Sequence, residues 1–191
     1  MQDHTKSSDE ELVGLAKKDS DVFEILVARY WDKLFFFVKR ISGFTNEDIE
    51  DSLQEVFIKV YKYLNDFDSS YKFSTWIYQI ARNTAIDESR RKKSRPRGID
   101  LEEDELLKIF KSSVDVSKEI DDKNQLEKIK SIIHDLPLRY REIMILRFLE
   151  EKTYDEIIDI VRKPKGTVAS LVSRGRKIIL KEMKKKKIVL N

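Results

Sequence analysis

The chain has 191 residues, with 38 Lys and Arg against 35 Asp and Glu, a formal net charge of +3, no cysteine and two histidines. Disulfides and thiolate metal sites are thereby excluded, and His4 and His134 lie too far apart in sequence to suggest zinc, so no metal or other cofactor is expected. Charged residues at 38%, with only 5 Gly and 3 Pro, favour solvated helices over a turn-rich β fold. No run reaches the roughly 18 apolar residues of a membrane span and the acidic start MQDHTKSSDEE is unlike a secretory leader, so a cytoplasmic location is expected.

In chain order, apolar residues first fall at helical spacing as Leu12, Leu15 and Ala16, then Val22, Phe23, Leu26, Val27, Tyr30, Leu34, Phe37, Val38 and Ile41. The pattern predicts a short helix, a break near Asp19 and Ser20, and a long helix. Thr45 with Asp48 resembles a capping box with the shorter acid, opening an amphipathic helix on Ile49, Leu53, Val56, Phe57, Val60 and Leu64. Ser74 is the expected N-cap of a helix running to about Arg91, with Ile77, Ile80, Ala81 and Thr84 turned inward.

Beyond the basic run RRKKSRPR, the segment from 93 to about 117 mixes Pro, Gly, acids and serines without sustained periodicity, and reads as a linker. A second helical domain follows. Ile120, Leu126, Ile129, Ile132, Ile133 and Leu136 share one helix, Tyr140, Ile143, Met144 and Phe148 follow Pro137, and two helices flank Pro164, which suits a first helical turn. The expected fold is all-α: two small helical domains, 1–92 and 120–191, joined by a linker over 93–119 and ending in a basic tail.

Charge is distributed in blocks, and local blocks set a protein's steering field. Residues 46–55 hold five acids and no base, residues 90–97 hold six bases and no acid, and residues 162–187 hold eleven bases and one acid. Basic surfaces suited to phosphate are therefore separate from an acidic surface suited to another partner.

Between Thr153 and Met183 the sequence reads as helix, tight turn, helix. In the second helix Val168, Leu171, Val172, Gly175 and Ile179 follow core spacing, which leaves Ser170, Ser173, Arg174 and Lys177 on the outward face. Short hydroxyls and long cations there suit a recognition helix in the DNA major groove, although a solvated basic helix would show the same composition. The stretch resembles the region-four helix-turn-helix of extracytoplasmic-function (ECF) sigma factors. The family pattern is a Glu-Ile-Ala helix, a Gly turn, then Gly-Thr-Val-x-Ser-Arg, matched by Glu156-Ile157-Ile158 and Gly166-Thr167-Val168-Ala169-Ser170. Ile158 stands for the usual Ala, Arg162 for the turn glycine and Leu171 for Arg. The resemblance implies that Lys165, Thr167, Ala169, Ser170, Ser173, Arg174 and Lys177 face the minus-35 duplex.

Upstream, TNEDIEDSLQEVFIKVYKYL resembles sigma region 2.2 and YKFSTWIYQIARNTAIDESRRKK resembles regions 2.3 and 2.4. Aromatics interleaved with cations suit capture of extruded bases and of the strand's phosphates. The resemblance implies a minus-10 site of Asp66, Phe67, Asp68, Ser69, Tyr71, Lys72, Phe73, Trp76, Gln79, Arg82, Asn83 and Arg90, within which Phe73 and Trp76 could equally be core residues. It also implies a polymerase-binding face of Glu47, Asp48, Glu50, Asp51, Gln54 and Phe57, which otherwise reads as an ordinary solvated face whose acids suit a helix N-terminus. The implied partners are core RNA polymerase through its β′ clamp helices and β flap, promoter DNA, and an anti-sigma factor. A non-enzymatic initiation factor that opens promoters is thus expected. The competing readings are a stand-alone LuxR-like regulator and, from another class, a metal nuclease built on Glu47, Asp48, Asp51 and Glu55, which lacks a second acidic helix or a histidine to complete it.

Overall fold

The computed structural model of the chain describes residues 7–91, 108–109, 128, 131–133, 135–186 and 188. Among them there is no strand, and the chain divides into two compact units with its main break between Arg97 and Gly98. Of the expected linker only Lys108 and Ile109 are described. Ile120, Leu126, Ile129, His4, His134 and Lys187 also lie outside the described residues.

The N-terminal unit is four helices: α1 (Asp9–Ala16), α2 (Asp21–Ser42), α3 (Asn46–Lys62) and α4 (Phe73–Arg91), with a single 3-10 turn at Leu64–Asp66. Ser8 and Glu11 form a capping box at the start of α1, satisfying two amides that the helix itself cannot. The break falls where expected, with the Asp19 carboxylate accepting from the Asp21 amide at 3.0 Å. Gly43 ends α2 in the left-handed region at φ 66, and Thr45 caps α3 by accepting from the Asp48 amide. The core is the predicted stripe with Phe73 added: Leu26, Tyr30, Leu34, Phe37, Val38 and Ile41 from α2 pack against Ile49, Leu53, Val56 and Val60 from α3 and Phe73, Ile77 and Ala81 from α4. Each large side chain so buried contributes about 1.5–3 kcal/mol.

Three details differ from the sequence reading. Leu15 is exposed, because a two-turn helix has room inward only for Leu12, Val13 and Ala16. Helix α4 begins one residue before the expected cap, so Ser74 lies inside it. Its inward face takes Tyr78, Ala85 and Glu88 along with Ile77, Ala81 and Thr84, while Ile80 is half-buried at the edge of the stripe.

The C-terminal unit contains α5 (Leu138–Phe148), α6 (Tyr154–Val161) and α7 (Lys165–Lys185), preceded by helical residues 131–133 that bury Ile132 and Ile133. Pro137 and Pro164 are the N-caps of α5 and α7, each one position earlier than a first-turn proline. Within helix α5 every residue from Tyr140 to Leu146 is buried, Arg141 and Glu142 included, while Arg139 is exposed. Arg141 donates to the Leu136 carbonyl at 3.1 Å, and burial lowers its pKa against the opposing pull of Asp135. Where α7 crosses α5, a Cβ on Gly175 would come within 3.2 Å of Met144 Sδ, so this glycine permits the close approach.

Candidate nucleic-acid interface

Helix α4 and the loop before it carry the residues expected at the minus-10 strand. Asp66, Asp68, Ser69, Tyr71, Lys72, Asn83 and Arg90 are exposed, and Trp76, Gln79 and Arg82 are half-buried along the same outer side of α4. Phe67 and Phe73 are buried. They are moved off the predicted surface because their rings pack on each other at 5.8 Å, with Tyr30 at 5.4 Å from Phe73 and Trp76 at 5.0 Å from Phe67. The half-open Trp76 indole therefore lies on a floor made by the two phenylalanines. Within the loop the Asp68 carboxylate accepts from the Ser70 amide at 2.9 Å, which holds its pKa below the usual value. Arg82 donates to the Asn83 side-chain carbonyl at 3.1 Å, fixing the amide's orientation on the exposed face.

The acidic face is on α3. Glu47, Glu50, Asp51 and Gln54 are exposed, Asp48 is half-buried, and Phe57 is 7% exposed with its ring stacked on Trp31 at 5.8 Å. Phe57 thus supports the face from beneath, since it also belongs to the apolar stripe. Glu55 is set apart from the other acids: Lys59 at 2.8 Å and Arg91 at 3.3 Å bind it. The Lys59 hydrogen bond first, and then the charges of Lys59 and Arg91, keep its carboxyl below the ordinary range, while partial burial opposes the shift. Among the described residues no three acidic or histidine side chains are arranged to hold a metal ion.

Two features of this unit escaped the sequence reading. Ile58 is 67% exposed and Tyr61 51% exposed on α3, alongside the acids. Ile58 was legible: it is nine residues after Ile49, half a turn around the helix from the buried stripe at 100° per residue. The other feature is the support that α1 gives the loop, which no local pattern announces.

In the C-terminal unit α6 starts on a capping box of Thr153 and Glu156 and ends at Arg162, which adopts φ 52 and ψ 49. Helix α7 then buries Val168, Leu171, Val172, Gly175 and Ile179 as expected, and adds Met183. Opposite them Lys165, Thr167, Ala169, Ser173, Arg174 and Lys177 are exposed, so six of the seven predicted duplex-facing residues form one open face. Ser170 is half-buried and donates to the Thr167 carbonyl at 2.9 Å. Lys184 and Lys185, expected in a tail, are exposed residues of α7, while Lys186 turns to the Ser131 hydroxyl at 2.8 Å. Leu171, where the family pattern has Arg, lies in the core.

Residues 26–95 match the Sigma-70 region 2 family and residues 126–179 the Sigma-70, region 4 family. The chain is 32% identical over 178 residues to the ECF RNA polymerase sigma factor SigW of Bacillus subtilis, covering 88% of this chain and 92% of that one. The chain belongs to the ECF sigma factors. A second relative, the ECF RNA polymerase sigma-E factor of Escherichia coli K12, is 36% identical over 172 residues, covering 85% of this chain and 87% of its own. Among solved structures, CnrH in complex with the cytosolic domain of CnrY superposes with a TM-score of 0.67 at 20% identity, over 92% of this chain and 97% of that one. The sigma factor RpoE of Bartonella quintana, solved with the anti-sigma factor NepR, gives 0.60 at 21% identity, over 85% and 96%. At such identities these two likenesses speak to the fold alone. As an ECF sigma factor the protein binds core RNA polymerase and directs promoter recognition and opening. With region 2 matched as well as region 4, nothing favours the stand-alone regulator. Among the described residues, no helix of this sigma factor is long and apolar enough to cross a membrane.

Proposed function

We propose that this sigma factor divides its work between its two units. Residues 1–92 engage the β′ clamp helices through the exposed face of α3 and hold the melted minus-10 strand on the 66–73 loop and the outer side of α4. Residues 120–191 dock near the β flap and read the minus-35 duplex through α7, with 93–119 as the connecting linker. The observation that carries this is the outward face of α7, where Thr167, Ser173, Arg174 and Lys177 are exposed directly opposite a fully buried stripe. A helix presented in this way offers hydroxyls and cations to base edges and phosphates at once.

Phe57, Phe67 and Phe73 are assigned a shaping role: they fix the surfaces that neighbouring residues present. The protein works in the cytoplasm without chemistry or a cofactor of its own. An anti-sigma factor is its expected regulator, because the polymerase and promoter faces must be covered when transcription is not wanted; each of the two structural neighbours was solved with a protein partner. Run-off transcription by bacterial core polymerase on pooled promoter fragments, with and without the protein, tests this reading. New transcripts whose promoters share two elements at fixed spacing support it. No new transcripts from a competent core, with tight duplex binding by the protein alone, would return the stand-alone regulator.

A further inference from the structure

The loop over residues 66–73 has few hydrogen bonds of its own. Its middle is a single turn in which Asp68 accepts from the Ser70 amide through its side chain and from the Tyr71 amide through its carbonyl. Both ends are instead held by α1 and its C-cap residue, Lys17. The Lys17 ammonium donates to the carbonyls of Asn65 and Phe67, each at 3.3 Å, and the Glu10 carboxylate accepts from the Phe73 amide at 3.1 Å. The second of these bonds satisfies the first amide of α4, which has no intrahelical acceptor, and sets a negative charge at that helix's positive end.

With eight residues, α1 is too short to persist by itself. It is kept in place by burial of Leu12, Val13 and Ala16 and by Asp9, which accepts from Arg29 Nη1 at 2.6 Å and from the Tyr30 hydroxyl. The Tyr30 ring in turn packs edge-on against Phe73. One continuous chain of contacts therefore runs from Asp9 through Tyr30 and Phe73 to Phe67 and Trp76, with Lys17 and Glu10 at either end of the loop.

We propose that Glu10 of α1 and Lys17, which caps that helix's C-terminus, are positioning residues for promoter-strand capture: they hold the 66–73 loop in the shape that receives the strand. The proposal rests on assigning that loop to the minus-10 strand. A loop that had to be ordered on each encounter would carry its conformational entropy cost into binding, and a braced loop has met that cost in folding. Neither residue needs to touch DNA. For Glu10 this gives an unambiguous sign: removing a carboxylate near a phosphate chain should strengthen binding if its effect is electrostatic, and weaken it if the residue positions the loop.

The test uses the full-length protein assembled with core polymerase and a fluorescent single-stranded oligonucleotide carrying the non-template minus-10 strand of a promoter it transcribes. Core binding and thermal unfolding of each variant are measured in parallel. Glu10→Ala should weaken strand binding by roughly 3- to 10-fold, the range spanned by loss of one hydrogen bond. Glu10→Gln, which keeps the acceptor, should restore most of it. Lys17→Met should weaken binding to a similar degree without changing its salt dependence, whereas removal of a group that bound phosphate directly would flatten that dependence. The proposal is overturned if Glu10→Ala binds the strand as tightly as the wild type or more tightly, or if the weakening by Lys17→Met comes with a flatter salt slope. Tyr71→Ala and Asn83→Ala separate the two levels of failure. If they weaken strand binding and Glu10→Ala does not, only the role of α1 fails; if they too have no effect, the minus-10 assignment fails with it.

Discussion

Replacing Arg162 by glycine should make the protein more stable, although it removes a side chain and adds none. Arg162 ends α6 at φ 52 and ψ 49, where a Cβ crowds the following carbonyl and a non-glycine residue loses roughly 1–2 kcal/mol. Against this stands the attraction of a cation for the carbonyl end of α6, which has no base in its last turn. At an exposed position that attraction is about 0.3–0.5 kcal/mol. Glycine's extra freedom in the unfolded chain offsets a further few tenths. The balance is a gain of roughly 0.1–1.5 kcal/mol, or a rise of up to about 12 °C in Tm for a cooperative unit of 60–100 residues. Calorimetric scans of the full-length chain measure it, with Arg162→Asn and Arg162→Ala beside the glycine variant. Asparagine, which tolerates the left-handed region, should fall between glycine and alanine. A glycine variant that melts at or below the wild type would show that the backbone at this turn is not the strained element the dihedral angles indicate.

In the same chain, Arg174→Ala should weaken minus-35 duplex binding by about 1–3 kcal/mol and alter base preference. Replacing Lys184 and Lys185 together with Gln should weaken binding evenly across sequences and reduce the salt slope by about 0.9 for each phosphate no longer neutralised; identical behaviour of the two variants would contradict the recognition-helix assignment. Asn83→Ala should leave polymerase binding intact but reduce permanganate reactivity of promoter thymines, and unchanged reactivity would remove Asn83 from the strand site. Asp51→Lys should weaken core polymerase binding, most strongly at low salt, with no loss of Tm, and an unaltered affinity would detach the α3 face from docking. Burial first, and then the hydrogen bond to Asp9, raises the Tyr30 pKa above its ordinary value, so its contribution to stability is complete below about pH 10 and declines as the unfolded phenol ionises above it. Urea midpoints from pH 8 to 11 should therefore fall more steeply for the wild type than for Tyr30→Phe, and parallel curves would count against that sign.

Much of the fold could be read from spacing because its helices are long enough to repeat. Leu26, Tyr30, Leu34, Phe37, Val38 and Ile41 recur over more than four turns, and all six are buried. The same logic failed at Leu15, where two turns of α1 leave the apolar face ambiguous. At α4 the local rule pointed to Ser74 as the cap, yet the helix starts at Phe73 because Glu10, 63 residues away, accepts that amide. A side chain arriving from another helix leaves no mark in the sequence around the helix it serves.

The candidate surfaces divide along the same line. The open face of α7 follows from its buried stripe, since fixing Val168, Leu171, Val172, Gly175 and Ile179 inward leaves Ser173, Arg174 and Lys177 no other direction. The 66–73 loop has no such period. Phe67 and Phe73 look, in sequence, like the same interleaved aromatic signal as Tyr71 and Trp76, and only packing separates the two buried rings from the exposed tyrosine and the half-open indole. Composition could identify the chemistry this segment offers to a single strand. Which rings form the floor and which stay open to solvent depends on Tyr30, Lys17 and Glu10, all at least 40 positions upstream of the residues they hold.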